Sequence, residues 1–191
     1  MPSDEGEVES DVEGEGERGK ARHTGLIVIL AIVVLVVGMS LTVAATNPLY
    51  LTRPLDGAPP VFRTETGGGQ GVSEDRYLTW DVRKRAETSF RPDGIGRGFG
   101  FDGRELRGEL TLSVPGNCTD RRVRWEIHAD GDRLGGGSTR GRHRYAAKTD
   151  FSVDGTPDAV TITLSWDGGD TACPSFGAEW KNARVERSPI G

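Results

Sequence analysis

The chain reads as an all-β protein, a jelly-roll or β-sandwich ectodomain preceded by one transmembrane helix and a disordered N-terminal tail. Three observations predict this. The run from Gly25 to Thr46 holds no charged residue in 22 positions. The residues before it are acidic and almost free of large apolar side chains. From about Arg76 onward, short segments alternate between apolar and polar residues and are broken by Gly and Pro, the pattern of half-buried strands.

Residues 1–24 carry eight acids and three bases, which accounts for the whole net charge of −5. Such a stretch cannot bury enough apolar surface to offset its ordering entropy, so it is expected to be a disordered cytoplasmic tail. The remainder holds 21 acids and 21 bases. A broad basic footprint is therefore missing, and a nucleic-acid partner is not expected.

At 1.5 Å per residue, Gly25 to Thr46 spans roughly 33 Å as a helix, enough for the hydrocarbon core of a bilayer. Its β-branched centre, Ile27 to Val37, would suit a buried strand, but the run is far beyond strand length. Arg18, Lys20 and Arg22 crowd its N-terminal flank, while no charge follows it before Arg53. The positive-inside rule then puts the N-terminus in the cytoplasm and the C-terminal domain outside the cell membrane. Tyr50 fits an interfacial anchor. A cleaved signal peptide is the rival, because Val43-Ala44-Ala45 resembles a cleavage site, although such peptides have shorter apolar cores.

Residues 47–75 contain Pro48, Pro54, Pro59, Pro60 and the run Gly67-Gly68-Gly69-Gln70-Gly71. Little periodicity and many breakers predict a stalk. Residues 76–188 carry the expected sandwich. Leu78, Trp80 and Val82 alternate with polar neighbours, as do Leu106, Gly108, Leu110, Leu112 and Val114. Val123, Trp125, Ile127 and Ala129 form a third strand that ends at the hairpin signal Asp130-Gly131. Phe151 and Val153, then Val160, Ile162, Leu164 and Trp166, then Trp180 to Val185 complete the set. Roughly 115 residues can carry their own core.

Cys118 and Cys173 both fall in the outer segment, where oxidation is permitted, so one disulfide is expected. It would close a loop of about 56 residues and contribute roughly 4 kcal/mol in the chain-entropy model. Twenty arginines against four lysines, with 28 glycines, match the usage of a GC-rich, actinobacterial-like genome.

Enzyme signatures are thin. No Gly-x-Ser-x-Gly elbow, His-Glu-x-x-His helix or phosphate loop is present, and outside the membrane only His128 and His143 offer an imidazole base. Neither catalysis nor a cofactor is expected. The glycines at Gly94, Gly96, Gly98 and Gly100 have the wrong spacing for a dinucleotide loop and read as a turn or bulge. Asp167 and Asp170 could hold a calcium ion at a loop, but two acids in a turn more often solvate it.

Val123-Arg124-Trp125-Glu126-Ile127-His128-Ala129-Asp130-Gly131-Asp132-Arg133-Leu134 resembles the strand-turn-strand of the NPCBM family, carbohydrate-binding modules with a galactose-binding-like jelly roll. Val160 to Trp166, a loop, and Ala178 to Val185 with Trp180-x-x-Ala183 resemble that family's last two strands. The similarity covers Gly94 to Glu186. The family's Gly-x-x-x-His segment has no counterpart here. The resemblance implies an extracytoplasmic binding module for a cell-wall or other polysaccharide. A protein-interaction or envelope-assembly domain on the same scaffold is the alternative.

A pyranose needs an aromatic face for its apolar side and planar donors and acceptors for its hydroxyls. The expected loops offer Arg140, Arg142, His143, Arg144, Tyr145 and Phe176 as ligand-binding candidates. Trp80, Trp125, Trp166 and Trp180 fall on alternating apolar faces and are expected in the core.

Overall fold

The computed structural model describes residues 26–39, 47–67, 74–94, 103–167 and 173–188. The chain divides into two units, Met1–Thr42 and Val43–Gly191.

In the first unit, residues 26–39 form an α-helix. Its large side chains, among them Leu26, Ile29, Leu30, Val34 and Met39, are 52–66% exposed all round. Fourteen residues rise about 21 Å, short of a hydrocarbon core of about 30 Å. Among the described residues, no helix is long and apolar enough to cross a membrane. The span expected over 25–46 is thus described only over 26–39, and the expected acidic tail 1–24 lies outside the described residues.

The second unit contains eleven strands among its described residues. They are β1 (Leu49–Gly57), β2 (Val61–Thr66), β3 (Glu74–Val82), β4 (Arg85–Asp93), β5 (Arg104–Ser113) and β6 (Arg122–Ala129), then β7 (Asp132–Thr139), β8 (Arg144–Lys148), β9 (Phe151–Val153), β10 (Val160–Asp167) and β11 (Phe176–Arg187). The ladders between them are antiparallel. One layer runs β2-β3-β11-β5, with β8 and β9 on the far side of β5; the other runs β1-β4-β10-β6-β7. β1 joins them, because Leu49 and Tyr50 pair with Val185 and Arg184 of β11 before the strand continues against β4.

The layers face each other across one core. Trp80 of β3 meets Phe90 of β4 edge-on at 6.2 Å, and Trp166 of β10 meets Phe176 of β11 at 5.1 Å. All four tryptophans are buried, as the alternation requires. Two indoles find hydroxyl partners: Trp80 Nε1 donates to Thr88 Oγ1 at 3.0 Å, and Trp180 Nε1 to Thr149 Oγ1 at 3.0 Å. Gly108 makes room for this indole, since a Cβ there would come within 2.5 Å of Trp180 Nε1.

The alternation slips once on β11. Ala178 and Trp180 face the core, and so do Ala183 and Val185, with Asn182 at φ 51° in the gap. The register against β5 shifts between Lys181 and Arg184. The Trp180-x-x-Ala183 spacing is therefore a β-bulge, which holds both apolar pairs on one face. Asn is among the few non-glycine residues that tolerate this left-handed conformation.

Three expectations need correction. Residues 47–75 are not a simple stalk: β1 and β2 lie in them, with Leu49 and Leu51 at 0% and 1% exposure in the core. The prolines mislead because β1 pairs through two register shifts and β2 is exposed at all six positions, so neither strand alternates. Tyr145 is not in a loop but on β8. Phe176 opens β11 and is 1% exposed, packed on Trp166.

Cys118 and Cys173 form a disulfide across a sequence separation of 55. It ties the 3₁₀ turn at Gly116–Cys118 to the segment leading into β11.

Candidate functional site

At the Asn182 bulge, β11 changes neighbours. Its pairing with β3 ends at Lys181↔Tyr77, and its pairing with β1 covers Arg184↔Tyr50 and Val185↔Leu49. Among the described residues no ladder joins β1 to β3, so the two strands leave a fork beside the bulge. The fork holds a cavity of about 310 Å³, at the lower end of the range for small-molecule sites.

Leu51, Leu78 and Ala183, all buried, line its base. Phe62 and Thr64 come from β2, and Tyr50 and Thr52 from β1. Phe62 is 46% exposed. Arg63, Glu74, Arg76 and Tyr77 also line the cavity. The Arg76 guanidinium lies 4.1 Å from the centre of the Tyr50 ring, a cation–π arrangement. Tyr77 is 9% exposed, with Arg63 at 4.7 Å and Lys181 at 5.6 Å from its ring centre. The exposed ring at the cavity is therefore that of Phe62, while Tyr50 is half-buried with one face under Arg76.

Carboxylates match the cations around this fork. Arg76 Nε donates to Glu74 Oε1 at 3.1 Å. Arg63 lies 3.3 Å from both Glu65 and Glu179. Lys181 Nζ lies 2.8 Å from Asp75 Oδ2. The hydrogen bond from Lys181, then that from Asn182, holds the Asp75 carboxyl below its ordinary range, and the bond to Asp75 raises the Lys181 ammonium.

The residues expected to bind at the rim lie elsewhere. Arg140, Arg142 and His143 occupy the exposed connection from β7 to β8. That connection is fastened to the turn containing Cys118. Arg140 Nε donates to the Asp120 carbonyl at 2.6 Å, and the Gly141 and Val114 amides donate to the Thr119 and His143 carbonyls. Tyr145 is half-buried against the core. The structure thus brings Arg140, Arg142 and His143 into one loop, beside Tyr145, but leaves Phe176 no face for a ligand. The groove residues went unread because they lie in the stretch expected to be a stalk. Tyr50 and Phe62, two aromatics 12 positions apart among prolines, were the available signal.

His128 Nε2 is 3.9 Å from Glu126 Oε2, beyond hydrogen-bond reach, and its Nδ1 lies 3.3 Å from the Gly131 carbonyl. Asp167 faces Arg122 and Arg124 at 3.4 and 3.3 Å. Asp170, the other half of the considered calcium pair, lies outside the described residues, as do 95–100 of the glycine run. Among the described residues no group of three or more His, Cys, Asp or Glu is placed to hold a metal.

No protein-family model matches the chain, and no curated protein matches its sequence. Among solved structures, the C-terminal CBM6 of a marine laminarinase from Zobellia galactanivorans is similar at 13% identity and a TM-score of 0.36, over 74% of this chain and 99% of that one. A CBM51 from Clostridium perfringens in complex with methyl-galactose gives 12% and 0.39, over 73% and 99%. A xylan-binding CBM22 domain from Paenibacillus barcinonensis gives 7% and 0.34, over 75% and 97%. At these identities and TM-scores the likeness assigns no ligand to this chain.

Proposed function

We propose that this protein is a membrane-anchored, extracytoplasmic binding module for a cell-wall or other polysaccharide, without catalysis, and that the fork between β1 and β3 is its sugar site. The observation that carries the reading is the groove itself. Phe62, 46% exposed, offers aromatic surface to the apolar face of a pyranose, and the half-buried Tyr50 ring borders the same cavity. Thr52, Thr64, Glu74 and Arg76 border the same cavity with the donors and acceptors its hydroxyls need. The anchor is the apolar run Gly25 to Thr46, whose described part is a helix exposing apolar side chains all round. A helix of that kind belongs in a hydrophobic surrounding. The three bases before the run orient it with its N-terminus in the cytoplasm. The sequence resemblance to NPCBM modules supports the same assignment.

The test is calorimetric binding of the full chain in detergent to xylan, β-1,3-glucan, galactan and mannan oligosaccharides. One class should bind saturably. Phe62→Ala should weaken it about tenfold or more, as loss of a stacking aromatic implies, whereas Arg142→Ala should leave it unchanged. The reverse pattern moves the site to the rim between β7 and β8. Absence of binding by folded protein overturns the saccharide reading.

One observation favours the second reading, an envelope protein partner. β2 is an edge strand with Val61 70% exposed, an edge on which a partner strand can pair. Loss of envelope-protein capture on Val61→Lys, without loss of glycan binding, would support it.

A further inference from the structure

We propose that the groove selects uncharged saccharides and rejects anionic ones such as uronates or phosphorylated glycans. The inference rests on the saccharide reading above and names its ligand class. An arginine-lined groove ordinarily invites the opposite conclusion, because guanidinium groups pair well with carboxylate and phosphate. Here the arginines are already engaged.

Arg76 is held by Glu74 at 3.1 Å with its cation over the Tyr50 ring. Arg63 sits between Glu65 and Glu179, at 3.3 Å from each. Lys181 is taken by Asp75 at 2.8 Å. The cavity's own lining holds two arginines and one carboxylate, Glu74; with Glu65 and Glu179, the partners of Arg63, and the adjoining Asp75–Lys181 pair, the cluster totals three positive and four negative charges. Glu74 itself lines the cavity. An incoming carboxylate would have to displace it from Arg76 or lie beside it as a like charge, and either costs affinity. A hydroxyl meets no such cost. It donates to the Glu74 carboxylate and accepts from the Arg76 or Arg63 fork while the existing ion pairs stay in place.

The experiment uses a matched pair of probes: the panel oligosaccharide that the full chain binds most tightly, and the same oligosaccharide oxidised at C6 to its uronate. For xylan, which lacks C6, its glucuronate-substituted form is used. The neutral probe should bind at least tenfold more tightly in low salt. Raising the salt should strengthen uronate binding by screening the repulsion and leave neutral binding unchanged. In Glu74→Gln the gap should narrow several-fold. Equal or tighter binding of the uronate, or uronate binding weakened by salt, overturns the inference even if Glu74→Gln fails to fold, since both are read on the unaltered protein. Failure of every neutral and uronate probe to bind overturns the saccharide reading beneath it.

Discussion

The Asn182 side chain accepts a hydrogen bond from the Arg76 backbone amide at 2.9 Å and donates one to the Asp75 carboxylate at 2.8 Å. The residue that makes the bulge in β11 thus also fixes the start of β3, and with it one side of the fork. Replacing it tests the two contributions separately. Asn182→Gly keeps the left-handed conformation but loses both bonds, and about 1 kcal/mol is expected to go. Asn182→Ala adds the backbone strain and should cost about 2 kcal/mol. Urea denaturation of the two variants checks the difference. Equal losses would mean that the positive φ contributes nothing.

The Asp75–Lys181 pair sets a pH window. Its partners depress the Asp75 carboxyl in the folded state, so the contribution is present above the unfolded carboxylate pKa. It is lost as pH falls through the lower, folded value. The Lys181 ammonium is raised, so its contribution holds below the unfolded lysine pKa and is lost as pH rises through the higher, folded value. Both groups are solvent-accessible, so the effect is small. Thermal melts should show the stability loss below about pH 4 shrinking in Asp75→Asn. An unchanged acid limb would rule the pair out as its source.

Trp180 is 0% exposed, and its N–H has Thr149 Oγ1 as partner at 3.0 Å. Thr149→Val keeps the shape and leaves the buried donor unpaired, a loss of about 1–3 kcal/mol. Gly108→Ala forces a methyl toward the same indole and should cost about 1–3 kcal/mol by overpacking. Each is expected to lower Tm by roughly 6 °C. Since both act on one side chain, the double variant should fall short of the sum. Full additivity would show that the two contacts are independent.

What the sequence disclosed, and what it did not, follows from how each residue is buried. β6 and β10 were legible because Val123 to Ala129 and Val160 to Trp166 are central strands with one face in the core, where period-two patterning is enforced. β4 alternates as well, with Ala86, Thr88 and Phe90 buried, but its polar and proline content hid it. β2 has no buried face, so no pattern existed to read. The disulfide was legible because only two cysteines exist. The groove was not, because it depends on a strand changing partners at Asn182. Phe176 looked available next to a loop, yet its ring turns onto Trp166.

The Cys118–Cys173 bridge separates the two candidate binding regions experimentally. It closes the chain across a sequence separation of 55, worth about 4 kcal/mol in the chain-entropy model. Cys118 is 1% and Cys173 8% exposed, so a reductant reaches them chiefly through local opening. The bridge secures the turn at Cys118, to which the β7–β8 connection is fastened through the Thr119 and Asp120 carbonyls. The fork instead depends on Asn182 and Ala183, six and seven residues along β11 from Phe176 and roughly 20 Å or more away at strand rise. A Cys118→Ser, Cys173→Ser double variant is therefore expected to melt roughly 10 °C lower. Amide exchange should be faster in 114–121 and 140–143, while oligosaccharide affinity below the melt stays within about twofold of the unaltered chain, since the interaction between distant sites is small. If affinity collapses along with protection of 140–143, the sugar site is the Arg140, Arg142 and His143 rim and not the Phe62 groove.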